Sequence, residues 1–249
     1  MYWTKDPFYS GGDSHGTSWS SKEDKLVWRG SASGGRNKAE NWIRFQRHRF
    51  VKTGLTPPNF VLPSSDSYTL ASSGALAPWL ADWSDAAVVH LLCFPNDNNA
   101  PTCPYTDPYF HVAKALPMSA QYSAKYLPDI DGNSFSGRYL AFLGSTSLPI
   151  KATIYNEWHD SRLVPWIHFV PMDNTFADVY GIMEYFLGND RVGLEGHDEV
   201  AERIASAGKK WKERVLRRED LLGYVFRVLL EFARGCDEGR GSMGWAGET

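Results

Sequence analysis

An excess of positive charge is the first thing this 249-residue chain lacks: 26 Lys and Arg stand against 29 Asp and Glu, a formal charge of −3. That balance excludes a chain-wide basic surface built to neutralise phosphates, so no nucleic-acid partner is expected. Cysteine is scarce as well. Cys93, Cys103 and Cys236 are the whole set, without C-x-x-C spacing, and at most one bridge can form among them. Neither a disulfide scaffold nor a zinc knuckle is indicated, and the state of each cysteine stays open. Long hydrophobic runs are missing too. The longest apolar stretch, 86–94, is interrupted by His90 and is about half of what a membrane helix needs, so no membrane segment is expected. The opening residues do not lead into the apolar run of a signal peptide, and no N-x-[ST] acceptor occurs. Read literally, the chain is expected to be soluble and untargeted.

What is present is an alternation of short apolar runs and amphipathic stretches. Strands are expected at 25–28, 86–93, 126–130, 150–155 and 166–170, and helices at 39–51, 134–143 and 176–187. The fold class that follows is α/β, a Rossmann-like parallel sheet with helices on both faces. Phe176, Val179, Tyr180, Met183 and Leu187 lie at helical spacing behind Asp173 and Asn174 as cap candidates, and Gly188 is a stop. A second stripe runs through Val200, Ile204, Ala207, Trp211 and Val215. A third joins Leu221, Leu222, Val225, Phe226, Leu229 and Leu230 behind the acidic pair Glu219 and Asp220, with Gly235 as its stop. All three stripes read as core. Residues 1–24 read as a loop or severed linker, 56–82 and 95–117 as surface insertions within a 25–234 domain, and 235–249 as a disordered tail.

The segment richest in chemistry is Lys125-Tyr126-Leu127-Pro128-Asp129-Ile130-Asp131-Gly132-Asn133-Ser134-Phe135-Ser136-Gly137-Arg138. A strand leads into a loop of small hydrogen-bonding residues, and the loop opens a helix whose first turn holds an arginine. Free backbone N–H groups, a positive helix end and a guanidinium suit a phosphate. The plainer alternative is a strand-to-helix turn with Ser134 as N-cap and Arg138 solvated. The spacing Gly132-x-x-x-x-Gly137-Arg138 falls short of a nucleotide-hydrolase phosphate loop, because Arg138 and Tyr139 stand where Lys and Ser or Thr are needed. Asp129 and Asp131 could form a carboxylate pair for a metal or simply be structural.

A second candidate is Trp28-Arg29-Gly30-Ser31-Ala32-Ser33-Gly34-Gly35-Arg36, a strand end followed by a flexible polar loop. Loops at the carboxyl ends of parallel strands are where open α/β sheets bind ligands. The following helix carries Arg44, Arg47, His48, Arg49 and Lys52, read as a solvated face that adds positive potential. A third candidate is Glu157-Trp158-His159-Asp160, then Pro165-Trp166-Ile167-His168-Phe169-Val170-Pro171. Glu157 suits ribose hydroxyls. His159 and His168 read as structural rather than acid/base groups, and no G-x-S-x-G nucleophile is present.

At these same motifs, together with Ser147-Leu148-Pro149-Ile150-Lys151, the chain resembles the fungal capsule-associated glycosyltransferases. That family shares a domain with animal Rumi-type protein O-glucosyltransferases. The resemblance runs from about Lys25 to Arg234. It implies the carboxyl-terminal, donor-binding unit of a two-domain GT-B fold. It implies inverting transfer of glucose or xylose from UDP-glucose or UDP-xylose to a hydroxyl of a protein or glycan acceptor, with no metal and no cofactor beyond that donor. Members of the family work in the lumen of the Golgi or endoplasmic reticulum.

Carried over position by position, Ser31 and Arg36 match donor-site residues, and Asn133, Ser134, Phe135, Ser136, Gly137 and Arg138 match the loop that holds the diphosphate. Arg138 is then the principal cation, stabilising the charge that develops on departing UDP. Asp129 and Asp131 become structural in that setting. Relatives carry their general base upstream of the Arg-Gly-Ser strand, and nothing in residues 1–24 matches it. The chain is therefore expected to be a donor-binding half, either of an active transferase or of a non-catalytic, vestigial UDP-sugar-binding protein.

Overall fold

Short runs rich in β-branched and aromatic residues become strands when both of their faces can be covered. In the computed structural model, which describes residues 16–55, 76–94, 103–106 and 112–242, five such strands form. They are β1 (Glu23–Ala32), β2 (Ser84–Leu91), β3 (Ala124–Ile130), β4 (Leu148–Ala152) and β5 (Val170–Pro171). All pair in parallel, in the order β2-β1-β3-β4-β5. Every residue of β3 and β4 is buried, so the centre of the sheet is covered on both faces. This is the expected Rossmann-like α/β architecture.

The helices are α1 (Gln46–Leu55), α2 (Leu76–Trp83), α3 (Met118–Gln121), α4 (Tyr139–Leu143), α5 (Val179–Leu187), α6 (Asp198–Val215) and α7 (Arg218–Cys236). On one side of the sheet Trp28 meets Phe50 of α1 edge to face at 5.7 Å, Phe50 meets Phe176 at 5.4 Å, and Tyr126 stacks on Phe186 of α5 at 5.9 Å. Leu127, on the opposite face, packs with Met118, Tyr122 and Phe142. Burying aromatic rings of this size contributes strongly to the apolar stabilisation.

Several boundaries differ from the sequence expectation for local reasons. The 39–51 helix is broken by the extended backbone of Phe45, leaving a 3-10 turn at Trp42–Arg44 before α1. The 134–143 helix shrinks to α4, with Arg138 as its cap and 134–138 forming the turn. The strand expected at 150–155 lies at Leu148–Ala152 instead. That expected at 166–170 is reduced to Val170–Pro171, because Trp166 takes a φ of 63° and its N–H donates to Phe169 O in a closed turn. Phe176 also has a φ of 63°, which delays α5 to Val179, with Asp178 rather than Asp173 or Asn174 as its cap. Gly188 ends α5 as expected, at a φ of 71° that favours glycine.

The interruptions are partly ordered. Residues 56–75 of the first lie outside the described residues, but its end forms α2, with Trp79, Leu80 and Trp83 buried. Of the second, 95–102 and 107–111 lie outside. Cys103 is buried and bridges to Cys93, and Val112 makes an isolated bridge with Val88. Within 1–24, residues 1–15 lie outside, Trp19 is buried in a 3-10 turn and β1 already starts at Glu23. At the far end α7 continues past Gly235 to Cys236 and a 3-10 turn follows at Arg240–Ser242, while 243–249 lie outside.

The third stripe is the largest departure. No residue of α7 is buried; Phe226 is 63% exposed and Phe232 71%. The apolar residues are present at the expected spacing, but nothing in the described chain covers them.

Candidate donor site

Strand order fixes where a ligand belongs. β1 is followed by β2 on one side and by β3 on the other, so the chain reverses direction across the sheet between β1 and β3. Open α/β sheets bind ligands at the carboxyl ends of the strands flanking such a point. Here the crevice is a physical split. The β1–β3 ladder pairs Glu23 with Ala124 and Leu26 with Tyr126 and then stops, although β1 continues to Ala32 and β3 to Ile130. Above Leu26 the sheet divides into a β2-β1 half and a β3-β4-β5 half.

A cleft of about 230 Å³ opens there. Arg29, Gly30 and Ser31 of β1 form one wall, and Ser136, Gly137 and Arg138 from the loop after β3 form the other. Arg138 is only 8% exposed, which removes the solvated alternative. Its guanidinium lies 5.5 Å from the Trp28 ring and 5.4 Å from that of Phe142, and Nη1 donates to Arg29 O at 2.5 Å. Arg29 is oriented by Asp85, through Nη2 to Oδ1 at 2.7 Å and Nη1 to Asp85 O at 2.7 Å.

Arg47, in the first turn of α1, also lines the cleft. Nη1 donates to Ser31 O at 3.1 Å and Ser33 Oγ at 2.9 Å, while Nε and Nη2 donate to Ile130 O at 3.3 and 3.2 Å. In the charge cluster on this helix, expected to be a solvated face, Arg47 instead reaches the cleft and His48 is buried in the core. The position of Arg47 in the first turn of the helix after β1 was the available signal, since that turn lies above the strand ends.

The other expected residues divide. Asn133 joins the two candidate loops, its Oδ1 accepting from Gly34 N–H at 2.9 Å. Gly132 sits where a Cβ would come within 2.9 Å of Ser33 Oγ and 3.2 Å of Arg47 Cζ, so the backbone passes close because no side chain is there. Ser134 and Phe135 are exposed on the loop and outside the cleft lining. Arg36 is exposed, 4.9 Å from the Phe94 ring centroid, and also outside it.

Glu157, the expected ribose ligand, is turned inward: its side chain is 6% exposed, with Oε1 3.1 Å from Lys151 Nζ and Oε2 3.2 Å from His159 Nε2. Asp129 and Lys151 are ladder partners on one face of the sheet, 3.5 Å apart. Lys151 Nζ also lies 3.9 Å from the Tyr139 ring centroid, and His159 Nδ1 is 3.1 Å from Asp160. Burial pushes the Asp129 carboxyl upward, with Lys151 opposing it. Burial also pushes Glu157 upward, but contacts with His159 and Lys151 outweigh it and hold the carboxyl below the usual range. Asp131 Oδ2 accepts from Ile154 N–H at 2.8 Å and shapes the loop after β4. Asp129 and Asp131 are thus engaged separately inside the protein. His168 is buried beneath Trp211, stacked at 5.3 Å, and accepts from Val164 N–H.

A split sheet whose loops converge with arginines on one cleft is suited to binding a phosphorylated ligand. Comparison with known proteins identifies the family. The family model described as "Glycosyl transferase family 90" matches residues 102–236. Protein O-glucosyltransferase 2 of Danio rerio is 23% identical over 150 residues, which is 60% of this chain and 27% of that protein. Protein O-glucosyltransferase 1 of Homo sapiens is 24% identical over 115 residues, 44% of this chain and 26% of that protein. An uncharacterized protein, 179R, of Invertebrate iridescent virus 6 is 26% identical over 124 residues, 47% of this chain and 10% of that one. The chain spans about a quarter of the length of each of these two glucosyltransferases. The family match covers more than half of this chain, from before β3 to the end of α7, and the chain therefore belongs to glycosyl transferase family 90.

Proposed function

We propose that this chain binds the UDP-sugar donor of a protein O-glycosyltransferase, with the diphosphate in the β1/β3 cleft. The observation that carries this is the convergence of Ser31, Ser136, Gly137 and Arg138 at the split in the sheet. Transfer of glucose or xylose with inversion breaks the bond between the anomeric carbon and the β-phosphate oxygen, and negative charge develops on the departing UDP. Arg138, held on two aromatic rings, stabilises that charge without a metal. Asn133 keeps the two loops together, and exposed Phe135 offers a face to the nucleotide. Arg36 and Ser134 stand further out, exposed and outside the cleft lining. Glu157 is engaged inward with Lys151 and His159, so in this reading it braces the loop after β4 and does not meet the ribose.

Among the described residues that line the cleft there is no Asp, Glu or His, so in this reading none of them is the base that takes the acceptor's proton. The acceptor in this reading is a protein hydroxyl, and the compartment is the lumen of the secretory pathway. The Cys93–Cys103 disulfide fits that oxidising environment. Among the described residues no helix is long and apolar enough to cross a membrane.

Calorimetric titration with UDP, UDP-glucose, UDP-xylose and ATP, with and without chelator, tests this reading. Uridine nucleotides should bind without metal, and Arg138→Ala should weaken them by roughly 10- to 100-fold, the worth of one charge-assisted hydrogen-bonding group. Equal binding of ATP, or UDP affinity unaffected by Arg138→Ala, would count against it.

A further inference from the structure

Where β1 and β3 part, carbonyl oxygens that a continuous ladder would have paired face the crevice. A row of such oxygens repels an anion. Two guanidiniums occupy them instead: Arg138 takes Arg29 O, and Arg47 takes Ser31 O on one strand and Ile130 O on the other. Arg47 thus donates to both sides of the split at once. It also holds Ser33 Oγ and packs against Gly132, where the diphosphate loop begins. Its planar fork is what allows one side chain to bridge two strands, since several N–H donors point in fixed directions at once.

We propose that Arg47 is a positioning residue of the donor site: by bridging the split and covering the carbonyl oxygens of both strand ends, it turns a cleft walled by acceptors into one that admits a diphosphate. The inference rests on the donor-site reading above and adds to it a residue outside both glycine-rich loops. Two effects are combined in Arg47. Its charge offsets the carbonyl dipoles, and its fork fixes the width between the β1 loop and the 132–138 loop.

The test is titration of the full chain and of its Arg47→Gln and Arg47→Lys variants with UDP and with inorganic pyrophosphate, across a range of ionic strength, beside thermal melting. Arg47→Gln should raise both dissociation constants about tenfold or more at low salt, and the gap should narrow as salt screens the charge. Arg47→Lys should restore the salt dependence but only part of the affinity, because a point charge cannot bridge both strands. Wild-type affinity in Arg47→Gln would overturn the proposal, as would a loss that is the same at every salt concentration and tracks the melting temperature. Should Arg47→Gln fold poorly, Arg47→Lys with full wild-type affinity overturns it equally. If the wild type binds pyrophosphate but not UDP, and Arg47→Gln loses that binding, the Arg47 role stands and the nucleotide reading falls. If the wild type binds neither, both fall.

Discussion

His48 shows how much one side chain in α1 can set the acid limit of the fold. It is fully buried, with the rings of Trp42 and Phe45 at 6.0 and 5.9 Å, and burial lowers its pKa from 6.5 to about 4. The unfolded chain therefore binds a proton there between about pH 6.5 and 4 that the folded chain does not, and stability falls as pH falls through that window. The effect is of order a few kcal/mol. Urea denaturation of wild type and His48→Phe at pH 7, 5.5 and 4.5 should show the wild type losing more stability than the variant as pH falls. Glu157 acts lower on the scale. Its depressed carboxyl contributes stability that is fully present above about 4.5 and is lost only as pH falls below that. At this same scale the sequence singled out Arg138 as a candidate, because small residues before an arginine at a strand end have a recognisable pattern, but it left a solvated Arg138 equally open until burial decided it. It did not show the inward turn of Glu157. The contacts that fix Glu157 come from Lys151, six positions earlier, and from His159, and their directions depend on how the chain folds after β4.

Among the elements, apolar periodicity identified α5, α6 and α7 but could not say what lies against each face. For α6 the buried residues are Ala201, Ile204, Ala205 and Gly208, one turn of the stripe away from the exposed Trp211. For α7 the stripe faces outward along its length. A helical pattern records that a face needs cover, while the covering surface is a tertiary property. Strand ends were blurred for a different reason. Trp166 and Phe176 adopt left-handed backbone conformations that aromatic residues rarely take, and no local signal announces them. Because α7 contributes little buried surface, Leu229→Lys with Phe232→Lys should change unfolding free energy by less than about 0.5 kcal/mol. The same pair should reduce concentration-dependent association in sedimentation velocity, since exposed apolar patches drive it. A drop in melting temperature of many degrees would mean that α7 is packed after all.

For the molecule as a whole, alternating runs were enough to give the parallel sheet, but strand order came only from the structure, and with it the place of the cleft. The disulfide was likewise one of three pairings open to the sequence. Cys93 and Cys103 join the end of β2 to a turn whose Tyr105 hydroxyl donates to Asn37 Oδ1 at 2.7 Å, directly after the β1 loop. The bridge therefore secures one wall of the site to the rest of the fold. Cys93→Ser should cost about 2–3 kcal/mol for a loop this short. It should also weaken UDP binding more than a remote destabilising change of equal size, as titration of both variants would reveal.

In mechanical terms the gap between β1 and β3 is a notch cut into a plate. Load applied across a notched plate concentrates at the tip, here the Leu26–Tyr126 pair, where Trp19 meets the Tyr126 ring edge to face at 6.2 Å like a rivet. Flexing the two halves about that tip changes the mouth of the notch far more than its root. In a fold of this shape the sheet holds the root of the notch, and the width of its mouth is left to the side chains that cross it, Arg47, Arg138 and Asn133.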